Sequence, residues 1–300
     1  MNRVFRYIAR AWLSGFMVVA GMGAVAADLP SIPPDELVRR TVWNELQTAK
    51  ESTKYMFRDR KATLHGSQTK LMVETREAMA GILIAIDDRP LSAEEREAEN
   101  SRVDRFVKDP EELKKRQKQE QEEMEHTERI MKALPDAFLY QYDGTEPGGQ
   151  GIGKPGDTLA RLRFHPNPKF DPPSRVEQVL VGMEGYLLID AGQDRIARID
   201  GALQKEVSFG WGILGHLDRG GHFLVEQEDM GHGNWEVSHI ALAITGKILV
   251  FKTISYKSDE VMNEFRPVPS DLTFAQGLEL LRKQEALLAE SSRSGNSQPK

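Results

Sequence analysis

The sequence predicts an α+β protein with one large, curved antiparallel sheet, a half-barrel, covered by helices and carrying a charged helical insert. Three observations predict this class. About ten short segments alternate apolar and polar residues with the period of a strand. Short turns link most of the later segments, which makes neighbouring strands antiparallel. Helical patterns are confined to the beginning, middle and end of the chain, and a sheet of about ten strands curls or closes.

The first 27 residues have the pattern of a cleavable secretory signal peptide. Three arginines among the first ten residues give a positive start, an apolar stretch covers 11–22, and Ala24 and Ala26 supply the small residues of a cleavage site. The apolar stretch is shorter than the roughly 20 residues of a membrane-spanning helix. We therefore expect a periplasmic protein cleaved after Ala26 or Ala27. A retained N-terminal anchor helix is the alternative.

Residues 28–290 are interpreted as a single domain, followed by a disordered tail at 291–300. Pro34 and the apolar spacing after it predict a helix over 34–51. Three strands are expected between 53 and 87, and a final helix over 272–290. The second half is expected to contain a short helix over 174–183 and strands over 138–142, 159–165, 185–190, 195–203, 221–230, 235–245 and 247–256.

A charged helical insert is predicted at 93–134. In this stretch, 23 of the 41 residues from 93 to 133 are Asp, Glu, Lys or Arg, a density that does not fit a core. Capping patterns starting at Ser92 and Asp109 indicate two helices, and Pro135 is expected to end the second. We interpret the insert as a solvated helix pair attached by its C-terminal turn. A partner-binding coiled coil is the alternative.

Composition excludes several kinds of chemistry. The chain has no cysteine, so it has no disulfide, no thiolate metal site, no cysteine nucleophile and no lipid anchor on cysteine. A net charge of −6 disfavours nucleic acid as a partner. No pair of its seven histidines has the helical i, i+4 spacing of a zinc site, and no G-x-S-x-G occurs. We expect no metal, no cofactor and no enzymatic activity, with an unrecognised hydrolase as a distant alternative.

A glycine-rich segment partly matches a phosphate-binding loop. Residues 148–154 fit G-x-x-x-x-G-K, but Pro155 stands where such a loop needs Ser or Thr. A strand pattern follows, and a phosphate loop needs the N-terminus of a helix there. We interpret this segment as a flexible hairpin loop.

Several strands of the second half carry apolar residues on both faces, so both faces need cover. Helices over 34–51 and 272–290 can supply all of it; an apolar ligand cavity is the alternative. The segment 207–215 alternates glycine with large apolar residues, which fits a rim or lid touching an apolar ligand, or rings packed in the core. The candidate ligand-binding residues are Leu187, Ile189, Phe209, Trp211, Ile213, Leu214, Leu249 and Phe251.

Three stretches resemble a known family: MEGYLLID at 183–190, RIARI at 195–199 and VSFGWG at 207–212. They are similar to an uncharacterised secreted subgroup of the LolA/LolB-like outer-membrane lipoprotein carrier (lipoprotein-sorting) superfamily. This resemblance implies a half-barrel sheet closed by helices, whose apolar concave face holds acyl chains, and no shared catalytic residues.

We therefore expect a periplasmic carrier or binding protein for lipid or the acyl chains of lipoproteins, with transient membrane contact. The alternative is an envelope interaction or stress-sensor protein on the same fold, which docks a protein partner through the helical insert.

Overall fold

The structure is a computed structural model that describes residues 29–49, 53–209, 215–248 and 252–295. Within these residues the chain forms helices and thirteen strands. All thirteen strands of this described part belong to one antiparallel sheet, and its two edge strands do not pair with each other. The predicted α+β class with a large antiparallel sheet is thereby confirmed. The predicted signal peptide lies outside the described residues. No helix among those described has both the length and the apolar character needed to cross a membrane.

The helices are α1 (Pro34–Thr48), α2 (Ala93–Lys108), α3 (Pro110–Ala137) and α4 (Phe274–Gly295), and a 3₁₀ turn covers Glu177–Gly182. The first strands are β1 (Lys54–Thr63), β2 (Gly66–Glu74), β3 (Met79–Ile86), β4 (Arg89–Pro90), β5 (Phe138–Pro147) and β6 (Thr158–Pro166). The later strands are β7 (Met183–Asp190), β8 (Arg195–Leu203), β9 (Val207–Phe209), β10 (Gly215–Leu217), β11 (His222–Gly231), β12 (Asn234–Ile248) and β13 (Lys252–Val268).

The chain divides into two compact units. The first contains Met1–Ser52 and Glu122–Glu260, and the second contains Thr53–Gln121 and Val261–Lys300. The divisions therefore fall inside α3 and inside β13. The expected single domain over 28–290 stays a prediction.

In the second unit, strands lie in the order β4-β3-β2-β1-β13, and α2 and α4 pack against them. Val103 of α2 is buried in the same apolar cluster as Phe274 and Leu278 of α4. The capping box predicted at the start of α2 is present: the Ser92 hydroxyl accepts from the backbone N–H of Glu95 at 3.2 Å, and the Glu95 carboxylate accepts from that of Ser92 at 2.8 Å.

In the first unit, strands lie in the order β13-β12-β11-β8-β7-β6-β5, and α1 packs against β5 and β8. Leu187 of β7 is paired with Ile199 of β8, and its neighbour Leu188 points to the opposite face. Leu188 packs there in a buried cluster with Trp235, and Ile152 from the glycine-rich segment covers this cluster. This segment therefore supplies part of the cover that the two-sided apolar pattern requires.

The glycine-rich segment is a hairpin, as predicted, and binds back to the sheet. Gly149 and Ile152 exchange backbone hydrogen bonds of 2.9 and 3.1 Å, and the N–H of Gly153 donates to Gln227 O at 2.7 Å. No helix follows it, because β6 begins at Thr158. These residues therefore lack the helix N-terminus of a phosphate-binding loop.

Three local expectations are wrong. The separate strands predicted over 235–245 and 247–256 place a turn at Gly246, but β12 continues to Ile248 and pairs there with β10. Gly246 allows this close approach of backbone, because a Cβ there would lie 2.2 Å from His216 O. Pro135 lies inside the last turn of α3, which ends at Ala137. The third is the start of the predicted tail, because α4 continues to Gly295. The short helix predicted at 174–183, by contrast, is present as the 3₁₀ turn Glu177–Gly182.

Candidate ligand cavity

The first unit contains a cavity of about 260 Å³. It lies between the C-terminal half of α3 and the face of the sheet that carries Leu187 and Ile199, with the 3₁₀ turn along its side. β9, β10 and β11 each contribute one large apolar side chain, from Phe209, Leu217 and Phe223. Helix, turn and sheet thus enclose one apolar space.

One wall is a helix face. Thr127, Ile130, Met131 and Leu134 line the cavity, and their spacing of three and four places them on one side of α3. Met131 is fully buried, and the Thr127 hydroxyl donates to its own helix, at Glu123 O, over 3.1 Å. The apolar seam of the charged insert is therefore used inside the first unit, at its C-terminal half.

The opposite wall is aromatic. Phe138 and Tyr140 of β5 and Phe164 of β6 all line the cavity, and the centroids of the Phe138 and Phe164 rings are 4.6 Å apart. The Tyr140 ring lies edge-on to Phe138 at 6.2 Å. Gly201 makes room for this wall, because a Cβ there would approach Phe164 Cζ to 3.2 Å and Met183 Sδ to 3.0 Å. Such rings supply large apolar area with few rotatable bonds.

The polar group deepest in this wall is already satisfied. The Tyr140 hydroxyl donates to Leu134 O at 2.7 Å, and burial raises the pKa of the Tyr140 phenol well above its usual range. The hydroxyl therefore stays protonated and engaged at any ordinary pH. It offers a ligand no acid–base chemistry.

The side chains that line the cavity in the described part of the chain include no carboxylate, serine, lysine or cysteine. A general acid–base pair or an activated nucleophile needs such groups within hydrogen-bond reach. His126 and Arg175 are the ionisable side chains of the lining besides Tyr140, and both are exposed to solvent. The lining is therefore apolar inside, and its exposed members His126 and Arg175 lie where the cavity meets water.

The sequence-predicted ligand residues have three outcomes. Phe209 and Leu187 line the cavity. Ile189 is fully buried and paired with Ile196, but it is not part of the lining. A β-bulge between Leu188 and Ile189 displaces the pairing there. Outside the described residues lie Trp211, Ile213, Leu214, Leu249 and Phe251, for which the prediction stays a prediction.

Sequence reasoning missed the contributions of α3 and of the turn at 177–182. The signal for α3 was present, since Met124, Met131 and Leu134 fall on one helical seam. The polar residue Thr127 interrupts that seam, and only its bond to the helix backbone makes it compatible with an apolar wall. In the turn at 177–182, Val179 and Leu180 form an apolar pattern too short to predict that the turn lines a cavity.

One cluster of potential metal ligands occurs in the described residues. Glu206, His216 and Asp218 place one ligand atom each within 4.8 Å of the others. His216 Nε2 lies 3.3 Å from Asp218 Oδ1 and 3.9 Å from Glu206 Oε2. All three side chains are partly exposed, so the cluster by itself assigns no metal.

No family model and no curated protein sequence matches the chain. The resemblance to the LolA/LolB-like carriers therefore rests on the three stretches quoted above and stays a prediction.

Proposed function

We propose that the chain is a non-enzymatic carrier or binding protein that takes up lipid, or the acyl chain of a lipoprotein, in the cavity of its first unit. The observation that carries this proposal is the apolar cavity of about 260 Å³. The hydroxyls of its lining are already bonded, that of Tyr140 to Leu134 O and that of Thr127 to Glu123 O. A guest therefore gains most by burying apolar surface.

The cellular setting belongs to the same proposal. The signal-peptide pattern of residues 1–27 supports a periplasmic protein. The large unclosed antiparallel sheet with helices supports a half-barrel of the lipoprotein-carrier type. The apolar seam of α3 lines the cavity wall. We therefore favour ligand binding over docking of a protein partner through the insert.

The energetics give the proposal a measurable signature. Each buried methylene contributes about 0.8 kcal/mol, which corresponds to about a fourfold change in Kd. Affinity for a series of alkyl chains should therefore rise about fourfold per methylene and level off once the cavity is filled. Displacement of a fluorescent fatty acid from the full chain measures this series.

A pair of matched variants ties binding to the cavity. Ile130 lines the cavity, whereas Leu139 is 44% exposed and adjoins the lining residue Tyr140 on the opposite face of β5. Ile130→Trp should fill the space and weaken binding of the longest chain at least tenfold, and Leu139→Trp should leave it unchanged. If no chain displaces the probe, or if both variants bind like the parent, the proposal is wrong.

Native mass spectrometry of protein purified from the cells that export it gives an independent check. The proposal expects a co-purified species whose mass is that of a lipid. Protein that emerges empty and also fails the displacement assay would overturn it.

A further inference from the structure

The cavity has an apolar interior and a charged opening. Of its lining, the side chains of His126 and Arg175 are exposed, so they lie where the cavity meets solvent. A purely apolar guest would leave the guanidinium of Arg175 to water alone. The side chains at this opening therefore indicate which polar group the ligand has at the end that stays outside the cavity.

Arg175 has no carboxylate partner within the described part of the chain. The nearest acidic side chain in sequence, Glu177, is 3% exposed and its carboxylate accepts a hydrogen bond from the Ser174 hydroxyl. Two other arginines of this unit have carboxylate partners, Arg39 with Asp136 and Arg198 with Glu226. In a chain of net charge −6, an arginine without a carboxylate at the mouth of a cavity is available to an anion.

His126 contributes less. It is an imidazole that can donate a hydrogen bond, but Glu122 and Glu123 lie four and three residues before it on α3, which places them on the same helix surface. Carboxylates on the same helix surface oppose an incoming anion near His126. Arg175 is therefore the group on which the inference rests.

The size of the cavity limits the apolar part of the ligand. Sites for drug-sized ligands measure about 300–1,000 Å³, and this cavity measures about 260 Å³. Such a space fits one extended hydrocarbon chain better than the two or three chains of a membrane lipid or a lipoprotein.

Building on the proposed function, we infer that the ligand is a single-chain amphiphile with an anionic group, carboxylate or phosphate, whose chain fills the cavity and whose anion binds the Arg175 guanidinium. A charge-assisted hydrogen bond of this kind at a partly exposed site corresponds to about a tenfold gain in affinity. Burial of the ligand's alkyl chain provides most of the affinity, and Arg175 provides the selectivity for the headgroup.

The test compares amphiphiles of equal chain length on the full protein, below their micelle-forming concentrations. Dodecanoate and dodecyl phosphate should bind about tenfold more tightly than dodecanol, and dodecyltrimethylammonium should bind most weakly. Arg175→Gln should reduce the ratio of dodecanol to dodecanoate Kd from about ten to about one. The control Arg129→Gln, on α3 and outside the lining, should keep the ratio near ten.

The outcomes separate the two proposals. If all four amphiphiles bind equally, or if Arg175→Gln leaves the ratio at ten, the headgroup inference is wrong while the apolar-cavity function stands. If none of them binds, the proposed function itself is wrong. Tighter binding of dodecanoate than of dodecyl phosphate identifies a carboxylate ligand, and the reverse identifies a phosphate ligand. A two-chain didodecanoyl phosphatidate that binds more tightly than dodecyl phosphate would overturn the single-chain assignment.

Discussion

The carboxylate of Glu45 on α1 accepts two hydrogen bonds of 3.0 Å from the guanidinium of Arg195 at the start of β8. Glu45 is fully buried and Arg195 is 2% exposed. The backbone N–H of Ile196 also donates to Glu45, at 2.9 Å, and Arg195 lies 5.5 Å from the centre of the Trp235 ring. This bidentate pair fixes α1 to the sheet in the first unit.

Glu45→Gln should strongly destabilise the protein. It leaves the charge of Arg195 buried without a counter-charge, a change that costs about 3–5 kcal/mol. Arg39→Gln is the matched control, since the Arg39–Asp136 pair is more than half exposed and worth at most about 1 kcal/mol. Urea denaturation measures both free energies of unfolding. Equal losses in the two variants would contradict the structural role of the buried pair.

His239 makes stability depend on pH. Its Nε2 lies 3.1 Å from Asp259 Oδ2 and its Nδ1 lies 3.0 Å from Glu226 Oε2, and these two hydrogen bonds raise the pKa of His239 to about 9. The folded pKa exceeds the unfolded value of about 6.5. The stabilisation is therefore complete below pH 6.5 and is lost as pH rises through 9.

We expect the free energy of unfolding to fall by about 2 kcal/mol between pH 6.5 and 9.5, a figure reduced for the quarter of the His239 side chain that is exposed. His239→Gln should remove most of this slope, and replacement of the exposed His65 by Gln should not. Urea titrations at several pH values measure it. An unchanged slope in His239→Gln would show that the imidazole is not held protonated by its neighbours.

At acid pH a second group matters. Burial alone would raise the pKa of Glu226, but the hydrogen bond from His239 and the charge of Arg198 outweigh burial and lower it. Stability from Glu226 is therefore present above the usual pKa of a glutamate and is lost as pH falls below it. The contributions of His239 and Glu226 are therefore both complete only between the usual pKa of a glutamate and about pH 6.5.

The sequence specifies the strands far better than it specifies what the strands face. The sequence pattern predicts β8 over its observed range, Arg195–Leu203. Buried and half-buried positions alternate along most of this strand. The second half of β13 escaped prediction, since the buried alternate positions include Ser258 and Glu260 as well as Met262. Burial of polar residues erases the hydrophobic alternation on which a strand prediction depends.

The candidate site follows the same division. Strand alternation places Leu187 on a buried face, and helical spacing places Met131 and Leu134 on one seam of α3. Nothing in the spacing says that the two faces meet around a cavity, since that depends on contacts between distant segments. The Glu45–Arg195 pair, 150 residues apart, has no local signal at all.

The glycine-rich hairpin offers a test of close backbone approach. A Cβ on Gly148 would lie 2.1 Å from Lys154 O, whereas a Cβ on Gly149 would meet nothing within 4 Å. Gly148→Ala must therefore shift backbone, which costs about 1–3 kcal/mol, and Gly149→Ala should be nearly neutral. Thermal unfolding compares the pair. Equal melting temperatures would mean that the hairpin does not hold this tight geometry.

Tyr140→Phe separates stability from binding in the cavity wall. The substitution removes the donor to Leu134 O and leaves that carbonyl without its 2.7 Å partner, which costs about 1 kcal/mol. Because the hydroxyl already donates to Leu134 O, its removal should not change the affinity for an apolar ligand. We therefore expect a lower free energy of unfolding and an alkyl-chain Kd within twofold of the parent, measured by urea denaturation and probe displacement. Tyr256→Phe, at a 38% exposed position, is the control for stability. A tenfold loss of alkyl-chain affinity in Tyr140→Phe would show instead that the hydroxyl binds the ligand, and would require a polar group on the part of the ligand inside the cavity.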